Sequence, residues 1–448
     1  MNPLLQHAAQ RADAYLESLH ERAVAPDANS CDALSALDGD LPNETTDPRA
    51  VIDLLDRYAT PATMGMAGPR FFGFVIGGSL PVALAANWLA TAWDQNTGLY
   101  NITPATARLE QTALRWMLDV LDLPRTCGGA FVTGATVANF VALAAARHSV
   151  LKRMGWNVEA DGLFGAPPIT VVIGAEAHPT LIKSLGLLGL GRNRVVKVPA
   201  DGQGRLRVDA LPAIDGPAIV CAQVGNVNTG ACDAVAEIRS RIGDAWLHVD
   251  GAFGLWARSA PSRAEHVRGV DRADSWATDA HKWLNVPYDC GLAFVRDADA
   301  LRAAMAITAE YLPTQSPWRN PSDFVPELSR RARGVDVWAT LRHLGRNGVA
   351  EMIERNCRQA RRFADALRDA GCEILNDVVL NQVLVSFGDA QRTQRVIAAV
   401  QADGTCWCGG TVWQGKTAMR ISVCSWATTD ADVERSIDAI VRVSKIAG

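Results

Sequence analysis

Between residues 129 and 308 the chain alternates short apolar, β-rich runs with helical stretches. The runs are GAFVTG, ITVVIGA, RVVKVPA, AIVCAQVG, AWLHVD, DSWATDA and CGLAFVR. This alternation constrains the fold more than any other feature. Runs that are apolar at nearly every position predict strands covered on both faces, and therefore an α/β architecture with a large, mostly parallel seven-stranded sheet. Ligands bind beyond the carboxyl ends of strands in such sheets, so chemistry is to be sought where these runs end. A chain of 448 residues, 48% hydrophobic and 21% charged, can bury a large core and divides into more than one unit.

The flanks are helical. Residues 1–65 read as an N-terminal helical arm, with Leu5, Ala8, Ala12, Leu16 and Leu19 at helical spacing, a polar loop at 27–48 and a second helix at 50–59. Residues 66–308 form the large domain, opened by helices near 80–93 and 104–121, the latter with Pro104 in its first turn. Residues 309–328 are a Pro- and Ser-containing loop. Residues 329–448 read as a small α+β domain, with a long helix at about 327–371, strands at 378–387 and 417–426, and two more helices. A net charge of −4 gives no electrostatic reason to expect nucleic acid or an anionic membrane. No apolar run is a convincing membrane span, the N-terminus carries no signal-peptide core, and SLPVALAANWLATAW (79–93) reads as a buried helix. The ten cysteines are scattered, mostly inside apolar runs. Cys406-Trp407-Cys408 has neither CxxC nor zinc-knuckle spacing, so it reads as packing; no metal site is expected, and a reducing, cytoplasmic compartment is.

Asp250 closes AWLHVD, and Lys282 follows DSWATDA, flanked by His281 and Trp283. Each alone has an ordinary explanation, a turn-capping Asp and a Lys that happens to follow a His. Together they match one cofactor: pyridoxal phosphate (PLP) needs a lysine amine for its aldehyde, as a Schiff base, and a carboxylate to keep its ring nitrogen protonated. The phosphate needs an anion site. Gly134, Ala135 and Thr136 stand where the GAFVTG strand hands over to a long helix, so free N–H groups and the helix dipole face that point. Gly129 to Gly134 imitates the start of a Walker A loop, but Ala135 occupies the lysine position, which excludes that reading. His178 follows a strand end, where an imidazole can stack on a pyridine ring or simply cap a helix. His281 lies beside Lys282, near the phosphate or the Schiff base. Ala252, two residues past Asp250, is small enough to let a ring lie against the turn.

Asp250-Gly-Ala252, Asp279-Ala-His281-Lys282-Trp283, GAFVTGATVANFVALAAAR, the His178 segment, GPRFFGF (68–74) and PELSRRARGVDVWATLRHLG (326–345) resemble the group II PLP-dependent amino acid decarboxylases. The resemblance covers most of the chain. It implies the fold type I architecture of PLP enzymes and a homodimer with an intertwined N-terminal arm and an active site shared between subunits. It assigns Lys282 to the Schiff base, Asp250 to the ring nitrogen, His178 to ring stacking, and Ala135, Thr136 and His281 to the phosphate region, with Gly134, Ala252 and Asp279 beside them. The expected reaction is decarboxylation of an L-amino acid, with an aromatic or other apolar substrate favoured.

Two departures bear on the outcome. The loop from Leu312 to Val325 contains no Tyr or His, where many family members carry a proton-donating tyrosine, and the family's GTT-like turn reads Gly225-Asn226-Val227-Asn228-Thr229. Tyr100, Tyr311, His178 and His281 are the alternative acids. Arg420 is a candidate for a substrate carboxylate or a structural salt bridge. Phe71, Phe72, Phe74, Trp318 and Trp413 line a pocket or belong to the core. The competing functions are an aldehyde synthase, aminotransferase or carbon–carbon lyase on the same scaffold, and a non-catalytic PLP-fold binding protein.

Overall fold

The computed structural model describes residues 2–307 and 318–446. The chain forms two compact units, Ser79–Arg361 with Asn376–Val383, and Met1–Gly78 with Arg362–Leu375 and Leu384–Gly448. The expected boundaries at 65, 308 and 328 are not where this partition falls. The first 78 residues group with the C-terminal sheet because their backbone bonds into it: Trp407 N–H donates to Arg70 O (3.1 Å), Phe72 N–H to Trp407 O (2.8 Å) and Ser422 N–H to Phe72 O (3.0 Å).

The first unit holds the seven predicted strands: β1 Gly128–Val132, β2 Thr170–Gly174, β3 Val196–Val198, β4 Ala218–Gln223, β5 Trp246–Asp250, β6 Ser275–Asp279 and β7 Gly291–Val295. Their order is β1-β7-β6-β5-β4-β2-β3. Only β7 runs against its neighbours, pairing antiparallel with β1 and β6. Every residue of β1, β5, β6 and β7 is buried, which is why these runs lack polar alternation. The helix Ala135–Lys152 is buried almost all round; Ala138, Val141, Ala142 and Ala145 pack with Val171, Ile219, Ala277 and Ala293 of the sheet. Its small side chains let the helix sit close to the strands.

In the second unit the helices Pro3–Ser18 and Pro48–Ala62 are joined by a 2.6 Å His7–Asp53 contact. The sheet there has the order β10-β11-β9-β8, with β8 Glu373–Ile374, β9 Gln382–Ser386, β10 Gly409–Trp413 and β11 Lys416–Ser422. The strand expected at 378–387 is therefore shorter, and β10 was not anticipated because GGTVW carries two glycines. The expected helix at 327–371 is Gly334–Asp369, broken at Gly345, whose φ of 60° and ψ of −176° are non-helical. Cys406 and Cys408 are buried and Trp407 stacks on Phe71 at 5.2 Å, the packing role read from the sequence. All ten cysteines are free thiols. Among the described residues no helix is long and apolar enough to cross a membrane.

Candidate active site

The carboxyl ends of β5 and β6 bring the predicted residues together. Asp250 is the last residue of β5 and pairs with Gln223 of β4 and Ala277 of β6. It is 3% exposed. Its Oδ2 accepts from Asn139 Nδ2 (3.2 Å) and its Oδ1 from the Ala252 N–H (3.3 Å). Burial pushes the carboxyl upward, against the opposing charges of His178 and Lys282 and the Asn139 bond. Ala252 then ties the two strand ends together, because its carbonyl accepts the Asp279 N–H (2.9 Å).

Lys282 lies just past β6. Its Nζ is 2.9 Å from Asp279 Oδ2, and its side chain is 23% exposed beside a carboxylate that is 2% exposed. The backbone here is anchored from the core: Trp283 is fully buried and donates from Nε1 to Asn356 Oδ1 (3.0 Å). His281 Nδ1 accepts the Cys290 N–H (3.0 Å), and its ring stacks on Tyr288 at 4.3 Å. Burial lowers the His281 pKa, so the ring is neutral, and with Nδ1 accepting, its proton sits on Nε2, 3.7 Å from Asp279 Oδ1.

These groups converge on the N-terminus of the helix Ala135–Lys152. The first intrahelical bond is Ala138 N–H to Gly134 O, so the N–H groups before it lie outside the ladder. Gly134 is the cap residue and makes no side-chain capping bond. A methyl group at Gly134 would lie 3.2 Å from His281 Cε1 and 3.6 Å from Asp279 Oδ1. At Gly291 it would meet Gly134 Cα at 2.5 Å and Asp279 Oδ1 at 2.9 Å. Gly291 is needed for this close approach, and at Gly134 a side chain would press on the His281 ring. Ala135 is buried, and Thr136 O accepts from Ser184 Oγ (2.8 Å). His178 caps the helix Pro179–Leu187: its Nδ1 accepts the Thr180 N–H (3.3 Å) and lies 2.7 Å from Thr180 Oγ1.

This arrangement fits the cofactor inferred from the sequence. One end is rich in donors suited to a phosphate: helix N–H groups, the Nε2–H of His281 and the hydroxyl of Thr136. The other holds a buried carboxylate suited to a pyridinium. Between them stands an amine. Asp279 Oδ1 is buried without a hydrogen-bond partner among the described residues, which leaves it able to take a donor from a bound group.

The substrate-side candidates are more dispersed. Tyr100 stacks on Trp318 at 5.5 Å, and its N–H donates to Asn320 Oδ1 (3.0 Å). Phe74 and Arg420 belong to the other unit. Phe74 is exposed and stacks on Trp407 at 6.1 Å, and Arg420 sits in β11 opposite Gly409, where burial lowers its pKa. Phe71, Phe72 and Trp413 are buried in that unit. Tyr311 and the start of the 312–325 loop lie outside the described residues. The Gly225–Thr229 turn is closed by Asn226, whose Oδ1 accepts the N–H groups of Asn228 (2.9 Å) and Thr229 (3.2 Å).

Sequence reasoning missed Asn139, His248 and Ser275. Asn139 is the one amide in the apolar stretch ATVANFVALAAA, and His248 alternates with Asp250 on one face of β5, so a signal existed for both.

Comparison with known proteins places the chain. Residues 32–388 match the pyridoxal-dependent decarboxylase conserved domain. Tryptophan decarboxylase 1 of Oryza sativa subsp. japonica is 29% identical over 356 residues, 73% of this chain and 68% of that protein. Phenylacetaldehyde synthase of Arabidopsis thaliana is 26% identical over 418 residues, 86% of this chain and 84% of that one. The crystal structure of Oryza sativa TDC with PLP and tryptamine superposes with a TM-score of 0.90 at 24% identity, covering 99% of this chain and 97% of that one.

Proposed function

This chain belongs to the pyridoxal-dependent decarboxylase family and converts an amino acid to an amine and CO2 with pyridoxal phosphate, and on that premise we propose how its residues divide the work. Lys282 would hold the cofactor aldehyde. Asp250 holds the proton on the ring nitrogen. Gly134, Ala135, Thr136 and His281 would hold the phosphate, and His178 and Ala252 would lie against the ring. Bound in this way, pyridoxal phosphate supplies a conjugated cation that takes up the electron pair released as the α-carboxylate leaves. The observation that carries the reading is the convergence of Asp250, the Asp279–Lys282 pair and the N-terminus of one helix at adjacent strand ends.

Asp279 has a distinct part. At 2.9 Å it holds the free Lys282 ammonium in place, which orients the amine near the strand ends and returns it there when product leaves. His178 and Tyr100 are the described groups left to deliver a proton to the α-carbon, because the neutral His281 ring has a single N–H and that one is committed to the phosphate end.

We further propose an aromatic or apolar substrate, a cytoplasmic setting and a homodimer with a shared active site. The dimer is supported by apolar side chains left in solvent on both units: Trp88, Leu89 and Trp93 on one, and Leu5, Val51, Leu54 and Leu55 on the other. One observation favours a second outcome. The segment 312–325 has neither Tyr nor His, and phenylacetaldehyde synthase is among the relatives. Without a proton at the α-carbon, dioxygen takes the electron pair, and amino acid, O2 and water become aldehyde, CO2, ammonia and hydrogen peroxide.

Borohydride reduction of the loaded enzyme, followed by peptide mapping, is expected to leave the pyridoxyl group on Lys282. A label on any other lysine overturns the assignment. A product balance under air separates the two outcomes: amine with CO2 and no peroxide supports decarboxylation, and matched aldehyde, ammonia and peroxide support the oxidative reaction.

A further inference from the structure

Beneath Asp250 lies a line of buried polar side chains with a fixed direction. Trp246, His248 and Asp250 alternate along β5 and so share one face. Trp246 Nε1 is 2.8 Å from Ser275 Oγ, Ser275 Oγ is 2.9 Å from His248 Nδ1, His248 Nε2 is 2.8 Å from Asn139 Oδ1, and Asn139 Nδ2 is 3.2 Å from Asp250 Oδ2. His248, Ser275 and Asn139 are fully buried, and His248 pairs in register with Ser275.

The chemistry at the ends sets the polarity. An indole N–H can only donate, and a carboxylate that pairs with a protonated ring nitrogen, the role proposed for Asp250, can only accept. Asn139 must therefore turn its NH2 to Asp250 and its oxygen to His248. That oxygen needs a donor, so the His248 proton sits on Nε2. Burial holds the His248 pKa at about 3, so the ring carries no second proton. Nδ1 is then an acceptor, and the Ser275 hydroxyl, already taking the indole N–H, donates to it. Reversing His248 would turn the amide over and set Asn139 oxygen against Asp250 oxygen, two acceptors face to face in a dry core.

We propose that Trp246, Ser275, His248 and Asn139 form a one-way hydrogen-bond relay that ends on Asp250 and keeps its carboxylate ionised and oriented toward the cofactor ring nitrogen. Asn139 and His248 are positioning residues in this scheme. The proposal rests on the reading of Asp250 given above. Asn139 and the Ala252 N–H each occupy one oxygen of Asp250, so the carboxylate cannot rotate freely and its outward lone pairs remain for the ring. The relay brings no cation to Asp250, and a buried carboxylate stabilised by neutral donors retains its charge for the pyridinium.

The direct test uses the wild-type, cofactor-loaded enzyme labelled with 15N-histidine, the His248 signal being identified by its loss in His248→Gln. A neutral ring protonated on Nε2 from pH 6 to pH 8 is expected. A proton on Nδ1, or on both nitrogens, overturns the relay. Asn139→Ala is expected to lower kcat ~10- to ~100-fold, the size of one hydrogen bond to a charged group, with KM within about twofold. The 15N signal of labelled cofactor should also show the ring nitrogen losing its proton at lower pH. His248→Gln, whose amide can still donate to Asn139, should keep most activity, and His248→Phe should behave like Asn139→Ala. An Asn139→Ala enzyme with unchanged kcat and unchanged ring protonation overturns the proposal; if that variant fails to fold, the wild-type tautomer decides. A fully active, loaded Asp250→Asn enzyme overturns the ring-nitrogen reading itself, whereas an Nδ1–H tautomer beside an inactive Asp250→Asn enzyme overturns the relay alone.

Discussion

Glu110 and Asp250 are both buried carboxylates of the sheet-bearing unit, 1% and 3% exposed, but their surroundings are opposite. Glu110 is saturated with cations. Its Oε1 is 2.9 Å from Arg319 Nη1 and its Oε2 is 2.6 Å from Arg330 Nη1. The guanidiniums also donate to backbone carbonyls of Thr97, Gly129 and Phe131. Asp250 takes its hydrogen bonds from an amide side chain and a backbone N–H, both neutral. A carboxylate whose charge is already matched fastens one segment to another. One that is held by neutral donors keeps its charge for a visitor. Burial alone does not distinguish structure from function here; the charge of the donors does.

The largest effect expected from this contrast is on stability. Glu110→Gln leaves two buried guanidiniums around a neutral amide, and breaking a buried ion cluster on one side costs about 3–5 kcal/mol. The denaturant midpoint should fall accordingly, while kcat of the remaining folded enzyme at low temperature stays within ~3-fold. A variant as stable as the wild type would show that the two arginines find other partners and that Glu110 is not the fastening point.

Asp250→Asn should do the reverse. The amide still fills the space, so the unfolding midpoint changes little, but it cannot hold a protonated ring nitrogen. Turnover should drop ~10²-fold or more, the scale of one lost electrostatic contact to developing charge. Near-normal turnover in a folded, cofactor-loaded variant would assign the ring nitrogen to another group and erase the contrast.

The sequence carried Asp250 but not Glu110, for a physical reason. Asp250, Lys282 and the Gly134 turn all sit at strand ends, and strand ends follow from local apolar runs, so seven of seven strands in the large sheet were legible. The Glu110 partners lie 209 and 220 residues away, and no local pattern announces a pairing at that distance. The unit boundaries were lost similarly: what groups residues 70–72 with Trp407 and the end of β11 is a set of backbone bonds over more than 330 residues. The relay lay between these cases. Its β5 members were visible as W-x-H-x-D, but the link through Asn139 required knowing which face of the helix meets that strand.

A third carboxylate sharpens the comparison. Asp336 is 4% exposed; its Oδ2 accepts from Asn87 Nδ2 (2.8 Å), and Asn87 Oδ1 accepts from Arg331 (3.2 Å). Asp336 Oδ1 has no partner among the described residues. It thus has one neutral donor, where Asp250 has two, and burial raises its pKa to about 6 from an ordinary value of 3.8. The folded state therefore prefers the protonated form. This group's favourable contribution is complete below the unfolded pKa and is lost as pH rises through about 6. In Asp336→Asn the amide oxygen still accepts from Asn87 and nothing titrates. Any fixed cost of the substitution cancels when variant and wild type are compared at several pH values. The stability of the variant relative to wild type should be lowest at pH 5 and rise by about 1–1.5 kcal/mol by pH 7.5. Urea midpoints for both proteins at pH 5, 6 and 7.5 give the answer. A difference that does not change with pH would mean that Asp336 is ionised throughout this range, and that a single neutral donor with the more distant charge of Arg331 is enough to hold a buried carboxylate charged.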